Sequence, residues 1–305
     1  MTALAAAIQL GGLALAPLLP GTIQSLKALL QGRRGPSPLQ PFRDLKKLWG
    51  KTTADPEPTT FVYRLVPCVV AAATALALLV VPVAGQSGNW SLGNDALVMA
   101  GMLALARFAL AATSWDTGSG FALMGSSRDL TLSVYVEALL VLAILLAALP
   151  VASTDLVTMS AAASGSGAWN EVSHWCAAAA FGLVLLAETG RQPIDNPDTH
   201  LELTMIHEGP LLEYSGRDLA LLEWSAAARH WIVLVLAAEL FLPHWGGFGL
   251  ELASSAAGVG LLCLALALTE TAQAKMRILR VPALLAGGCL LALIGLVSWL
   301  IGGSS

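Results

Sequence analysis

Glu188-Thr189-Gly190-Arg191-Gln192-Pro193-Ile194-Asp195-Asn196-Pro197-Asp198, running on to Glu213-Tyr214-Ser215-Gly216, is a charged interval set directly behind an apolar helix. The chain around it is 56% hydrophobic and only 12% charged, so this concentration needs a physical cause. Between 191 and 216 a single cation, Arg191, faces Asp195, Asp198, Glu202, Glu208 and Glu213. The interval therefore carries −4, which equals the formal net charge of all 305 residues. Carboxylates are costly inside hydrocarbon, so the interval reads as a loop gathered at one membrane edge.

On either side of it the chain is made of long apolar runs, with a mean hydropathy of +0.72. A membrane span needs about 20 mostly apolar residues. Eight such segments fit, near 3–30, 61–84, 92–113, 128–150, 170–190, 217–243, 249–272 and 278–301. The expected fold is all-α: one polytopic membrane domain covering 1–305, with too little chain between spans for a soluble domain. The first segment has no basic stretch ahead of it, its earliest cation being Lys27, so it reads as a retained span and not a cleaved leader.

Cations orient the array. The links 31–60, 114–127, 191–216 and 273–277 fall on one side and hold or adjoin almost every Lys and Arg. The opposite links, 85–91, 151–169 and 244–248, contain none. By the positive-inside rule the acidic loop faces the cytoplasm and both termini face outward, across a cell inner membrane.

The 31–60 link reads as an interfacial helix. Ser37 is placed to cap it and Pro38 suits its first turn, while Leu39, Phe42, Leu45, Leu48 and Trp49 recur at helical spacing. Arg43, Lys46 and Lys47 lie on the other side, as expected for a helix resting among lipid headgroups or meeting a soluble partner. The 114–127 link, with Gly118, Gly120 and Gly125, lacks the GxxxxGK[ST] order of a phosphate loop and reads as flexible or closely packed backbone next to a partner.

Ionisable groups at membrane depth are unfavourable by roughly 2.5–3.5 kcal/mol and normally face protein or water. Glu137 lies well inside the fourth span, Glu239 in the outer part of the sixth, and Glu188 closes the fifth. A carboxylate as deep as Glu137 is too short to reach the headgroups, and desolvation suits such a group to proton exchange. Arg107, in the inner part of the third span, reads either as a snorkelling side chain or as a charge-balancing one.

In the acidic loop Asn196 is placed to cap a helix starting at Pro197, with Gly209-Pro210 ending it; His200 and His207 share a face one heptad apart. The loop also holds Leu201, Leu203, Met205, Ile206, Leu211, Leu212 and Tyr214, more apolar surface than a bare loop exposes. That predicts a cover. The four cysteines (Cys68, Cys176, Cys263, Cys289) fall inside spans without a CxxC pair, and the histidines lack metal-site spacing, so no metal or redox centre is expected in this chain. Asn89-Trp90-Ser91 is formally a glycosylation sequon. Nothing points to nucleic acid.

Three stretches resemble the subunit 1 family of respiratory complex I and its hydrogenase relatives. The pattern E-T-x-R-x-P-[FI]-D, then E-L and E-Y-S-G, is met by Glu188-Thr189, Arg191, Pro193-Ile194-Asp195, Glu202-Leu203 and Glu213 to Gly216. Gln31-Gly32-Arg33-Arg34-Gly35-Pro36 with Gln40-Pro41 and Asp44-Leu45-Lys46 is the second, and Gly125-Ser126-Ser127-Arg128 leading to Glu137 the third. The run from Asn196 to Glu208, with His200 where quinone-reducing members carry an acid, resembles the membrane subunits of hydrogenase 4 and formate hydrogenlyase, the group 4 energy-converting nickel–iron hydrogenases.

The resemblance implies a membrane-anchor subunit that docks a soluble hydrogenase module, with its large and small subunits, and links it to antiporter-like membrane subunits. Nickel–iron and iron–sulfur centres would belong to those partners. Glu137, Glu188, Asp195, Asp198, Glu202, Glu208, Glu213 and Glu239 would form a protonatable route, with Arg107, Arg128 and Arg191 balancing charge. Arg33, Arg34, Arg43, Lys46, Lys47, His200, His207 and Tyr214 would meet the partner. A quinone-reducing complex I subunit, a stand-alone proton or cation transporter and a purely structural anchor stay open beside it.

Overall fold

The computed structural model describes residues 2–57, 59–88, 93–163, 168–195, 206–244 and 246–302. The helix expected from Asn196, with Asp198, His200 and Glu202, and the sequon at Asn89 lie outside the described residues. Eleven α-helices are described: α1 Thr2–Leu15, α2 Leu18–Leu30, α3 Gln40–Trp49, α4 Phe61–Val80, α5 Ala96–Thr117, α6 Gly120–Ala148, α7 Leu156–Ala163, α8 Val172–Glu188, α9 Gly216–Phe241, α10 Phe248–Ala272 and α11 Val281–Gly302. No strand is present among the described residues.

Six helices have the length and hydropathy of a span: α4, α5, α6, α9, α10 and α11 with the short turn before it. α1 and α2, bent by 56° at their junction, reach that length and hydropathy only together, as a broken span or a re-entrant pair. Pro17, at the junction, has no N–H for the ladder and breaks the helix. The 17-residue α8 stands in the fifth expected place and is shorter than a full span. The multi-pass all-α reading holds, with two of its eight segments irregular.

Three local expectations need correction. α3 begins at Gln40, past Ser37 and Pro38; Pro41 takes its first turn and the Ser37 carbonyl accepts from Gln40 N at 2.8 Å. The 114–127 link is nearly all helix, because α5 runs on to Thr117 and α6 starts at Gly120. Gly118, at φ 63°, makes the reversal in a conformation that costs glycine least. Within 151–169 a further short helix, α7, packs against α9.

α9 is the central post. It packs against α4, α8, α10 and α3, so its wall is buried along most of its length. α8 is wedged between α6 and α11, and α2 lies against α10. A main apolar core fills the bundle, from Ile23 and Met99 to Phe181 and Ile232. A second cluster, around Tyr63, Val66, Val70 and Tyr214, lies under the segment that leads into α9. That segment is what α4, α6 and α9 hold in place.

Candidate functional site

The site starts from Arg107, placed by α5 with its side chain only 5% exposed. Three carboxylates face it. Glu188 closes α8 and accepts from Nη2 at 2.6 Å; Glu137 on α6 accepts from Nη1 at 3.0 Å; Asp129, two turns earlier on α6, lies 3.9 Å from Nε. Arg107 therefore does not snorkel. A guanidinium offers five donors in a fixed fork, which suits it to join carboxylates from two helices.

Glu137 differs from its neighbours. Its side chain is 38% exposed, against 1% for Glu188. It faces a lateral cavity of about 210 Å³ between α5 and α6, lined also by Leu97, Gly101, Leu140, Arg107 and Glu188. A second cavity, of about 180 Å³, lies beneath the loop between α8 and α9. Arg107 and Glu188 line this one too, with Asp129, Asp195, His207, Glu208 and Arg229. The pair thus stands as the shared wall of two cavities.

The loop is fastened by charge at both ends. Arg191 Nη1 meets Glu270 Oε1 of α10 at 2.8 Å, and Lys27 of α2 lies 3.3 Å from the other Glu270 oxygen. Asp195 accepts from Lys275 Nζ at 2.8 Å. His207 places Nδ1 3.4 Å from Asp195 and Nε2 3.6 Å from Asp129, bridging the loop to α6. Burial alone would lower the His207 pKa; the hydrogen bond to Asp195 and the charges of Asp129 and Asp195 outweigh it, and the pKa is raised.

Close backbone contact completes the fastening. A Cβ on Gly125 would lie 2.8 Å from Gly209 Cα, so α6 and the 3-10 turn Gly209–Leu211 touch backbone to backbone. The close packing expected of Gly125 is real, but its neighbour belongs to the same chain. Farther on, Tyr63 and Tyr214 stack at 4.4 Å with planes 5° apart. Tyr63 Oη donates to Glu213 O at 2.7 Å, and Tyr214 Oη donates to Tyr63 O at 3.0 Å. Burial pushes the Tyr214 hydroxyl pKa up.

These contacts correct two expectations. Tyr214, read as a docking residue, is buried at 4%, and Ile206 at 0%. The apolar side chains read as requiring an outside cover are, at these positions, covered by α4 and the bundle itself; Leu212 remains exposed. Glu213 contributes its carbonyl, and its side chain is absent from the cavity lining. Glu239 is set apart as well. Near the far end of α9, it is fully buried and accepts from Ala84 N, Gly85 N, Ser160 Oγ and Ser255 Oγ at 2.7–3.0 Å. Arg33, Arg34, Arg43, Lys46 and Lys47 are exposed, and Arg128 is half-buried on α6.

Sequence reasoning missed Asp129, Glu270, Lys27 and Lys275. Asp129, Glu270 and Lys27 sit toward span ends, where a charge usually meets water, yet are buried; Lys275 lies half-buried in the link between α10 and α11. Among the described residues no group of three or more His, Cys, Asp or Glu is arranged to hold a metal ion. What the cluster can do is exchange protons between carboxylates and an imidazole held within a few ångströms.

Comparison with known proteins agrees with this architecture. A family model described as NADH dehydrogenase matches residues 3–301. Formate hydrogenlyase subunit 4 of Escherichia coli K12 is 32% identical over 304 residues, covering 94% of this chain and 95% of the relative. Hydrogenase-4 component C of the same organism is 34% identical over 242 residues, 79% of this chain and 75% of the relative. An NADH-quinone oxidoreductase subunit of Cereibacter sphaeroides is 30% identical over 244 residues, 75% of this chain and 76% of the relative. Among solved structures, a chain of the membrane-bound sulfane sulfur reductase, an archaeal respiratory membrane complex, shares the fold with a TM-score of 0.82 at 21% identity, over 95% of this chain and 96% of that one. By the match along nearly its whole length, the chain belongs to the NADH dehydrogenase family of membrane proteins, the family of complex I subunit 1.

Proposed function

We propose that this chain is the membrane-anchor subunit of a group 4 nickel–iron hydrogenase complex of the formate hydrogenlyase and hydrogenase 4 type. The two Escherichia coli relatives support that branch. In this reading the loop between α8 and α9 meets a soluble hydrogenase module in the cytoplasm, and both termini lie on the outer side of the inner membrane. Nickel–iron and iron–sulfur centres belong to the partner subunits, and antiporter-like membrane subunits lie alongside.

The observation that carries the coupling role is the Arg107–Glu188 pair between the two cavities, with Glu137 on its lateral side. Glu137 and Glu188 draw on one guanidinium. When Glu137 takes up a proton, Arg107 turns its charge more fully to Glu188; when Glu137 releases it, the pull is shared again. Protonation on the lateral side and charge on the loop side are thereby linked through one side chain. Asp195, His207 and Glu208 continue the protonatable set toward the loop; Asp198, Glu202 and His200 are proposed to extend it toward the partner. Glu239 and Glu213 are not continuous with it.

The test is Glu137→Gln in membrane vesicles carrying the intact complex. Hydrogenase turnover should persist while coupled proton movement falls by roughly a hundredfold, as loss of a positioned proton-transfer group does. Unchanged proton movement would leave only the anchor. Turnover that requires added quinone would move the chain to the quinone-reducing branch, and ion flux from the chain reconstituted alone would make it a transporter.

A further inference from the structure

A groove of about 490 Å³ runs between α3, α4 and α9, away from both cavities of the Arg107 cluster. Its floor exists because two facing positions, Ala71 on α4 and Ala220 on α9, are small. Trp224 forms one wall and is not free to swing into the space, since its indole N–H donates to Leu13 O at 3.0 Å. Leu45 and Trp49 of α3 close the near end, and Lys46 is the single charged residue in the lining. The volume lies within the usual range for a small-molecule site, about 300–1,000 Å³.

Two features choose the occupant. The first is length. Ala71 is ten residues into α4, so the groove reaches roughly 15 Å from the helix start at 1.5 Å per residue, half of a hydrocarbon core of about 30 Å. That is the depth of one leaflet, and one acyl chain fills it. Leu45, Lys46 and Trp49 of α3 occupy one end of the groove, which disfavours a partner's continuous transmembrane helix there. The second is charge. Lys46 is exposed at the mouth, with Arg43 and Lys47 exposed beside it; the nearest acid on α3, Asp44, accepts from Gln40 Nε2 at 2.9 Å. A lysine stem lying along apolar surface with its ammonium at headgroup level is the arrangement that holds a lipid phosphate.

We infer that this groove is a binding site for one anionic glycerophospholipid of the leaflet on the basic side of the protein, its acyl chain between Ala71 and Trp224 and its phosphate on Lys46. The site gives α3 a lipid wedge as its inner support, so headgroup charge sets how α3 sits on α9. It is independent of the hydrogenase reading.

Native mass spectrometry of the delipidated full-length chain tests it, with dioleoyl-phosphatidylglycerol and dioleoyl-phosphatidylcholine added at equal concentration. The anionic lipid should be retained about fivefold over the zwitterionic one, the preference one lysine adds toward an anionic leaflet. Lys46→Glu should abolish that preference, and Ala71→Phe, which fills the floor, should abolish retention of both lipids. Lys47→Glu, outside the lining, should lower the anionic preference less than Lys46→Glu does and leave retention of the zwitterionic lipid unchanged. Equal retention of the two lipids by the unaltered chain, or a preference surviving Lys46→Glu, overturns the proposal. So does undiminished retention in Ala71→Phe, which would place the lipid on the outer surface of α3. Retention of a prenyl quinone ahead of either lipid would assign the groove to a different ligand. Lys46 is exposed, so its substitution decides the matter even where Ala71→Phe disturbs folding.

Discussion

Arg107 and Glu188, 81 positions apart in sequence, meet at 2.6 Å where two cavities share a wall. Their side chains are 5% and 1% exposed, so the contact is shielded from water. Helix α5 brings the cation and the last turn of α8 the anion. Glu137 approaches the same cation from the less buried side.

Removing one partner of a buried pair leaves the other charge unmatched. Arg107→Met should therefore destabilise the protein by about 3–5 kcal/mol, read from thermal unfolding of the purified complex. Arg107→Met with Glu188→Gln should recover a large part of that loss, because the stranded carboxylate is then gone. Equal instability of the single and double variants would show that the pair is not the source.

The His207 contact predicts a pH response of the loop. Its folded-state pKa is raised above the ordinary histidine value of about 6.5. Such a group adds stability that is fully present below the unfolded value and is lost as pH rises through the folded one. Hydrogen-exchange protection at residues 206–214 should be greatest below about pH 6.5 and decline above it. In His207→Gln the protection should be lower throughout and flat with pH.

Gly125 tests whether the loop is held by α6. A Cβ there meets Gly209 Cα at 2.8 Å and Pro210 Cδ at 3.1 Å, and backbone cannot swing aside as a flexible side chain does. Gly125→Ala should cost about 1–3 kcal/mol and loosen the loop, seen as faster proteolysis between α8 and α9. Gly260→Ala, where a Cβ would meet nothing within 4 Å, is the control and should be neutral or slightly stabilising.

Glu239 separates a staple from a relay. Each of its oxygens accepts from one backbone N–H and one serine hydroxyl. In Glu239→Gln the amide nitrogen would face a serine hydroxyl, which can turn to accept, and a backbone N–H, which cannot and is left unsatisfied at about 1–3 kcal/mol. Unfolding should come at lower temperature while proton movement per folded complex stays at the wild-type level. A loss of proton movement without a loss of stability would restore Glu239 to the route.

Most of the fold was legible because membranes impose a simple constraint. Apolar runs long enough to span and the concentration of acids after Glu188 both follow from solvation of one residue at a time. The same logic marked Glu137 and Glu188 as groups needing a partner. It misjudged Ile206 and Tyr214, which are covered by helices that periodicity cannot bring to them; Leu212 is exposed as expected, and Leu201, Leu203 and Met205 lie outside the described residues.

Sequence by itself determined the place of the apolar segments, the gathering of cations in alternate links and the residues unfit for lipid, because each depends on local composition. Only the tertiary structure decided that Arg107 joins Glu137 to Glu188, that Lys27 and Arg191 share Glu270, and that Glu239 closes the far end of α9. Those choices depend on which helices lie side by side. A charge in a span announces that it must be neutralised, and packing alone selects the residue that does so.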